Sequence, residues 1–395
     1  MKYLFKRCPP KILDLEGRSI PDEGAKARGE EMVEPTALTH NPPEMILSKE
    51  EIIAYLGEKE PDKVIQLYRE ADRIREDFMG DEVHIRGIIE FSNYCERDCL
   101  YCGLRRSNNQ LVRYRMTLEE IFLAAQVARE LNFKTVVMQS GEDPFYSVED
   151  ICSLVRRIKT NLNLAITLCI GERKFEDYER FRKAGADRYL LKFETSNPSL
   201  FRRLKPDSSY EQRLRCLDWL KQLGYQVGSG NMVGLPGQTL EDLAEDILAF
   251  EKLDLDMIGI GPFIPHPNTP LREARKEELD TVLKVVALTR IVTRNTHIPA
   301  TTAVGTLYTG GRQKALQCGA NVIMPNATPK AYRQHYQIYP NKICIDENPQ
   351  NCRHCIEGMV ASLGRKIGNH FGHTMKTARP LSEEENNFKN CPAFN

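Results

Sequence analysis

The chain has 395 residues, 41% hydrophobic and 28% charged, with Lys+Arg and Asp+Glu balanced at 55 each. That balance gives no pull towards a polyanionic partner such as nucleic acid, and no apolar run is long enough to span a bilayer. The opening Met1-Lys2-Tyr3-Leu4-Phe5-Lys6-Arg7-Cys8-Pro9-Pro10 breaks on charge and proline before a signal-peptide core forms, so a cytoplasmic enzyme is expected. Twelve cysteines in such a compartment point to metal ligation rather than to disulfides.

Residues 1–44 are rich in proline, glycine and charge without a sustained period, and read as an irregular N-terminal arm. Ser48 with Glu50 and Glu51 starts a helical stretch that runs to about Phe78. From there short apolar runs alternate with amphipathic ones. The predicted strands are 84–91, 134–139, 163–169, 187–194, 225–233, 256–262, 298–302 and 321–324. Helices are predicted near 117–131, 148–159, 174–183, 209–223, 239–252, 276–293 and 308–317, with caps at Thr117/Glu120 and Thr239/Asp242. Eight strands alternating with helices predict an α/β fold, a complete (β/α)8 TIM-type barrel over 45–340, with its site at the strands' C-terminal ends. After about Pro340 the alternation stops, and residues 341–395 form a C-terminal extension bearing further cysteines.

Cys95, Cys99 and Cys102 follow the first strand as C-x3-C-x2-C. Three thiolates in one tight loop can hold three irons of a cubane cluster and leave the fourth open to a small molecule. A structural zinc would want four protein ligands, usually with a second pair elsewhere. Tyr101 precedes the last cysteine and Gly103 lets the loop turn. The pattern resembles the signature loop of the radical S-adenosylmethionine (SAM) enzymes. The resemblance implies a 4Fe–4S cluster whose open iron binds SAM and cleaves it reductively. In that light Ser140-Gly141-Glu142, at the end of the second strand, resembles the segment that receives the SAM ammonium. Glu194, at the mouth of the fourth, is a carboxylate suited to both ribose hydroxyls. Arg213 opens the following helix and could fork onto the SAM carboxylate. Cys169 ends strand three and could face the same cofactor. Residues 228–237 form a small-residue strand end that would let backbone approach the adenine.

Cys344, Cys352 and Cys355 form a second set, C-x7-C-x2-C. They admit a 2Fe–2S or 4Fe–4S cluster, or zinc completed by His354, His370 or His373. With both sets in view the chain resembles the HydE family, radical SAM maturases of iron-only (FeFe) hydrogenase, over roughly 46–360. The carrying segments are 92–105, 139–144, 190–195, 231–239 and 261–271, together with the tail cysteines. Some of these recur in biotin synthase and methylornithine synthase. The resemblance tips the tail set towards a second iron–sulfur cluster. It also implies a substrate made of iron bearing CO, cyanide and cysteine, HydG-like and HydF-like partner maturases, and an electron donor. Thr167, Thr301, Thr302, Met324, Tyr339 and Arg86 are the candidate cavity residues. Hydroxyls aimed inward can bind anionic groups, and a charge inside a barrel needs a partner. Two rival readings are a methylornithine synthase-like mutase acting on lysine and a non-catalytic iron–sulfur or zinc assembly scaffold. An RNA-modifying radical enzyme is disfavoured, since no basic appendage interleaved with aromatics accompanies the barrel.

Overall fold

The computed structural model describes residues 47–347 and 349–376, so the expected arm over 1–44 lies outside the described residues. Ten strands follow in order: β1 (Glu82–Ser92), β2 (Thr135–Ser140), β3 (Ala165–Cys169), β4 (Arg188–Leu190), β5 (Gln226–Ser229), β6 (Met232–Val233), β7 (Met257–Ile258), β8 (Gly261–Pro262), β9 (Val322–Ile323) and β10 (Lys366–Ile367). The helices are α1 (Lys49–Gly57), α2 (Pro61–Met79), α3 (Leu118–Glu130), α4 (Val148–Leu162), α5 (Phe175–Ala184), α6 (Pro198–Leu204), α7 (Tyr210–Gln222), α8 (Leu240–Lys252), α9 (Leu279–Thr293), α10 (Thr302–Leu307), α11 (Gly311–Gln317), α12 (Lys330–Arg333) and α13 (Pro349–Ser362).

Strands β1, β2, β3, β4, β5 and β7 pair in parallel in that order. The ring closes through single bridges: Met257 pairs with His297, Pro299 with Val322, and β9 with β1 at His84–Val322. These make the eight staves predicted. All but two residues of β1 are buried, as expected of a parallel strand covered on both faces. Capping boxes start α1, α3, α4 and α8 at Ser48, Thr117, Ser147 and Thr239, each worth about 1 kcal/mol. Helix α9 is buried on every side from Val282 to Thr293, because α1 and α2 cover the face that the barrel does not.

Two predicted strands are interrupted. The runs 225–233 and 256–262 each split in two where Gly230 meets Gly259. A Cβ on Gly230 would stand 2.1 Å from the Gly259 carbonyl oxygen, so the backbones touch and the ladder breaks there. The broken ends pair again as β6 and β8. The run 298–302 stops early because Thr301 caps α10.

Beyond Pro340 the described residues, to 376, carry further elements. Helix α13 carries two tail cysteines, and β10 joins the start of β1 at Glu82–Lys366. Residues 368–376 then form a strap across the barrel floor. Arg188 donates to the carbonyls of Phe371 and Gly372 at 2.8 and 2.9 Å, and Thr135 donates to Phe371 at 2.9 Å. Arg86 donates to Gly372 at 3.1 Å, so this candidate cavity residue lies at the end of the barrel opposite the cysteine loop. Both arginines are buried and bond backbone carbonyls, and burial lowers the pKa of each. The Gly372 amide donates to His370 Nδ1, so Nε2 carries the proton that meets Glu82 at 2.6 Å. Among the described residues no helix is long and apolar enough to cross a membrane.

Candidate active site

The loop after β1 is fastened on three sides. Asn93 donates to Val112 and His335 and accepts from the Tyr114 amide at 2.7 Å. Asp98 takes both arms of Arg105 and the Ser107 amide, and Arg105 holds its carboxyl well below the usual range. Two glycines are required by contact. A Cβ on Gly103 would strike the Gln337 carbonyl oxygen at 2.0 Å, and one on Gly141 would strike that of Tyr94 at 2.1 Å and Cys95 Cβ at 2.7 Å. The second of these docks the end of β2 against the first cysteine.

The three thiols face a cost that a bound cation would remove. Burial pushes Cys102 well up, and Cys99 and Cys95 add to it; burial pushes Cys95 up to about 11. Thiolates gathered in one buried loop raise each other's proton affinity unless iron neutralises them. Three thiols in one loop suit a cluster that takes one thiolate per iron and leaves its fourth iron open. The residues fit a 4Fe–4S cluster.

Beside the loop three strand mouths bring acids and bases together. Glu142 follows β2, Glu172 follows β3 and Glu194 follows β4. Arg97 bonds Glu142 at 2.6 Å. Arg213 stands 2.7 Å from Glu172, 3.5 Å from Glu142, and donates to the Lys192 carbonyl. Burial opposes ionisation of Glu142, but Arg213 and Arg97 outweigh it and hold its pKa below the ordinary value. Glu194 is likewise held down against its burial by Lys192, 3.1 Å away, and Lys205. That ion pair is made through Glu194 Oε2, and the Glu194 backbone sits at φ +69°. Tyr101 and Cys169 share this field: burial and then Glu194 raise the Tyr101 phenol, and the same two push Cys169 up to about 12. Ser140 Oγ turns back onto the Gly141 carbonyl.

Tyr101 of the cysteine loop thus shares one electrostatic neighbourhood with Glu142, Cys169, Glu194 and Arg213. Sequence reasoning missed Arg97, Glu172, Lys192 and Lys205. A Cβ on Gly171 would strike Glu142 Cγ at 1.9 Å, so this glycine lets Glu142 lie against the end of the third strand. Thr167 and Thr301 each bury an Oγ1 without a partner. Thr301 and Thr302 lie at the turn into α10, where strand alternation no longer separates them. Met324 follows β9, half-buried. Burial and then Glu90 raise the Tyr339 phenol, which bonds Thr306. A cleft of about 340 Å³ opens beside that wall, lined by Thr306, Asn341, Arg272 and Lys276.

The tail set is only partly assembled. Ligand atoms of Cys344, Glu347 and Cys352 lie within 4.8 Å of one another, while Cys355 is exposed one helical turn on. Cys344 is lowered to about 7 by its hydrogen bond with Cys352 and by Arg312. His354 bonds the Gln350 carbonyl, and His370 and His373 belong to the floor strap; none joins the thiols.

The chain matches the Radical SAM superfamily model over residues 89–250. It is 56% identical to the [FeFe] hydrogenase maturase subunit HydE of Thermotoga maritima over 306 residues, 78% of this chain and 88% of that protein. It is 27% identical to 3-methylornithine synthase of Methanosarcina acetivorans, over 70% of this chain and 79% of the other. A methylornithine synthase structure superposes with a TM-score of 0.73 at 25% identity, covering 82% of this chain and 94% of the other. The maturase HydG from Carboxydothermus hydrogenoformans, at TM-score 0.69, 21% identity and coverage of 81% and 75%, shares the fold. This level of identity and the superfamily match agree with the cysteine loop: the chain belongs to the HydE family of [FeFe] hydrogenase maturases within the radical SAM superfamily.

Proposed function

We propose that this radical SAM enzyme acts on a small iron complex carrying CO, cyanide and cysteine, in assembly of the two-iron subcluster of FeFe hydrogenase. The observation that supports this most is the 56% identity to the Thermotoga maritima HydE over nearly all of that protein. When bound, the 4Fe–4S cluster and SAM supply reductive cleavage to a 5′-deoxyadenosyl radical. Cys95, Cys99 and Cys102 would hold the cluster. Ser140, Gly141 and Glu142 would receive the SAM ammonium, Glu194 the ribose, and Arg213 the carboxylate. Glu172 keeps Arg213 oriented, and Lys192 keeps Glu194 ionised. The unpartnered hydroxyls of Thr167 and Thr301 are donors suited to an anionic carboxylate or cyanide, with Thr302, Met324 and Tyr339 completing the wall. Arg272 and Lys276 give the adjoining cleft a positive lining for an anionic substrate. Arg86, on the floor, has a structural role instead.

HydG-like and HydF-like maturases and an electron donor are the proposed partners, in a reducing cytoplasm. The tail cysteines hold a second iron–sulfur cluster in this reading. Likeness to methylornithine synthase keeps a lysine mutase as the second reading. Single-turnover mass spectrometry with a cysteine–iron complex, and in parallel with lysine, separates them. A sulfur-linked adenosyl adduct is expected; conversion of lysine to methylornithine without an adduct rejects the maturase chemistry.

A further inference from the structure

Among the described residues two groups of metal-ligating side chains bring all their ligand atoms within 4.8 Å of one another. One is the tail set. The other, Glu82, His84 and His370, lies on the barrel floor, at the end away from the cysteine loop. Glu82 and His84 are two apart on β1, so their side chains leave the same face of the strand. β10 pairs with β1 at Glu82–Lys366 and Val83–Ile367, and the Gly368 amide extends that ladder to the Val83 carbonyl at 3.0 Å. His370 follows two residues on and returns over Glu82, its Nε2 2.6 Å from Oε2.

A His–Glu contact at a surface is common and requires no ion. His84 sets this one apart. The residue is 6% exposed, and its Nδ1 is buried without a hydrogen-bond partner. A buried ring nitrogen left in that state is costly unless something binds it. Glycine keeps the space beside it open. A Cβ on Gly368 would stand 2.7 Å from His84 Nδ1 and 3.2 Å from Glu82 Oε2, and one on Gly372 would stand 2.9 Å from Nδ1. The His84 and His370 rings meet edge to face with their centres 4.7 Å apart. Three arginines lie near, yet none takes the carboxylate. Arg86, Arg188 and Arg365 donate to backbone carbonyls, and among the described residues Glu82 pairs only with His370. Burial first, and then Arg86, lower the His84 pKa to about 3, so the ring is neutral and keeps a lone pair at ordinary pH.

We propose that Glu82, His84 and His370 form a site for one divalent transition-metal ion of the zinc type, which clips the floor strap to β1. Two imidazoles and one carboxylate are a donor set that zinc takes, with water in the fourth position. Glu82 and His370 keep 42% and 56% of their side chains exposed, so ion and water enter from solvent. On binding, the ion replaces the proton that His370 Nε2 directs at Glu82. The ring proton passes to Nδ1, and the Gly372 amide gives up its bond there. The site is independent of the cysteine loop and of SAM cleavage.

Full-length, cluster-loaded protein is dialysed anaerobically against buffered free zinc, and bound zinc is counted by elemental analysis. One zinc per chain should remain when Cys344, Cys352 and Cys355 are all replaced by alanine. His84→Ala and His370→Gln, each made in that background, should weaken zinc binding at least about a hundredfold. The glutamine can still donate to Glu82, so His370→Gln without zinc should melt within about 2 °C of its parent. Only the rise in melting temperature that zinc produces in the parent should vanish. If His84→Ala does not fold, Glu82→Gln takes its place, with the same loss of zinc expected. Unchanged zinc affinity in the floor variants overturns the proposal, and so does zinc that disappears with the tail cysteines alone. Loss in one floor variant but not in the other overturns the three-ligand site. Filling only at millimolar zinc would show an adventitious surface contact, which also overturns it.

Discussion

Asp246 on α8 accepts a buried hydrogen bond of 2.9 Å from the side chain of Asn231, which lies between β5 and β6. Its other oxygen accepts from the Ser196 amide at 2.5 Å, two residues beyond Glu194. Glu194 is bridged by backbone to Asn231 and held at a positive φ that costs a non-glycine residue about 1 kcal/mol or more. One carboxylate thus ties both sides of the strained turn that presents the proposed ribose ligand.

Removing that tie should loosen SAM. Asp246→Ala is expected to weaken SAM binding about tenfold, the effect of about 1.4 kcal/mol, measured by titration of cluster-loaded protein. Asp246→Asn should bind normally, because Asn231 Oδ1 has no partner and can turn to accept the new amide. Burial raises the Asp246 pKa from its ordinary 3.8 to about 6. Between those values the folded state holds the extra proton, so stability from this group falls as pH rises through the window. The melting temperature of Asp246→Asn relative to wild type should therefore climb between about pH 4 and 6 and level off above. A flat difference across that range counts against the assignment.

Glu172 should matter for stability as well as for SAM. It and Arg213 are both buried, and Glu142 already answers to Arg97. Glu172→Ala leaves the Arg213 charge half-compensated, which typically costs about 3 kcal/mol. Urea unfolding of the cluster-free protein should register a loss of that order. If the midpoint is unmoved, the ion pair is not what orients Arg213.

Much of this was legible in the sequence, and the failures have physical causes. The cysteine loop could be read because three ligands of one kind at fixed spacing have few other uses. Glu142 and Glu194 could be read because an acid ending an apolar strand is costly without a ligand. Arg97 and Glu172 could not, since their partners come from other strands and only closure of the ring brings them together. Arg86 was misplaced for a related reason: alternation along β1 says which residues point inward but not how high along the barrel axis they lie. Glycine contacts at Gly230 and Gly259 broke two predicted strands because sequence pattern is blind to backbone approaching backbone. The floor strap left almost no signal, because its contacts to Arg86, Arg188 and Thr135 are made by the Phe371 and Gly372 carbonyls, which any residue could supply.

That strap supplies a prediction about Arg86. Deleting residues 366–395 removes the Phe371 and Gly372 carbonyls from Arg86, Arg188 and Thr135, leaving buried charges short of acceptors. A loss of about 3 kcal/mol or more is expected in urea unfolding. SAM affinity per folded molecule should hold, because the cysteine loop is at the other end of the barrel. Arg86→Met should lower stability and leave substrate affinity alone. Weakened substrate binding with unchanged stability would return Arg86 to the cavity.

The tail cysteines should bind their own cluster and be dispensable for SAM cleavage. Cys344 is embedded among Arg312, Arg333 and Thr306: Arg312 lies 4.0 Å from its sulfur and Arg333 reaches the Glu347 carbonyl at 2.8 Å. The Ile343 amide donates to Thr306, so the set is anchored to α10 and α12 rather than to the loop after β1. Cys344 sits at φ +62°, a strained placement that turns its sulfur towards Cys352. Cys355 is exposed and follows Cys352 by three residues on the same helix, the spacing that puts two side chains on one helix face. Replacing all three cysteines by alanine should lower iron content by about two to four atoms per chain, according to cluster type. The change that SAM produces in the paramagnetic spectrum of the reduced first cluster should persist, with deoxyadenosine yield within about twofold of wild type. Zinc that leaves the protein with these three cysteines would correct the metal without moving the site. Loss of deoxyadenosine with the first cluster's signal intact would make the tail site part of the radical chemistry, against its placement beyond the last strand of the barrel.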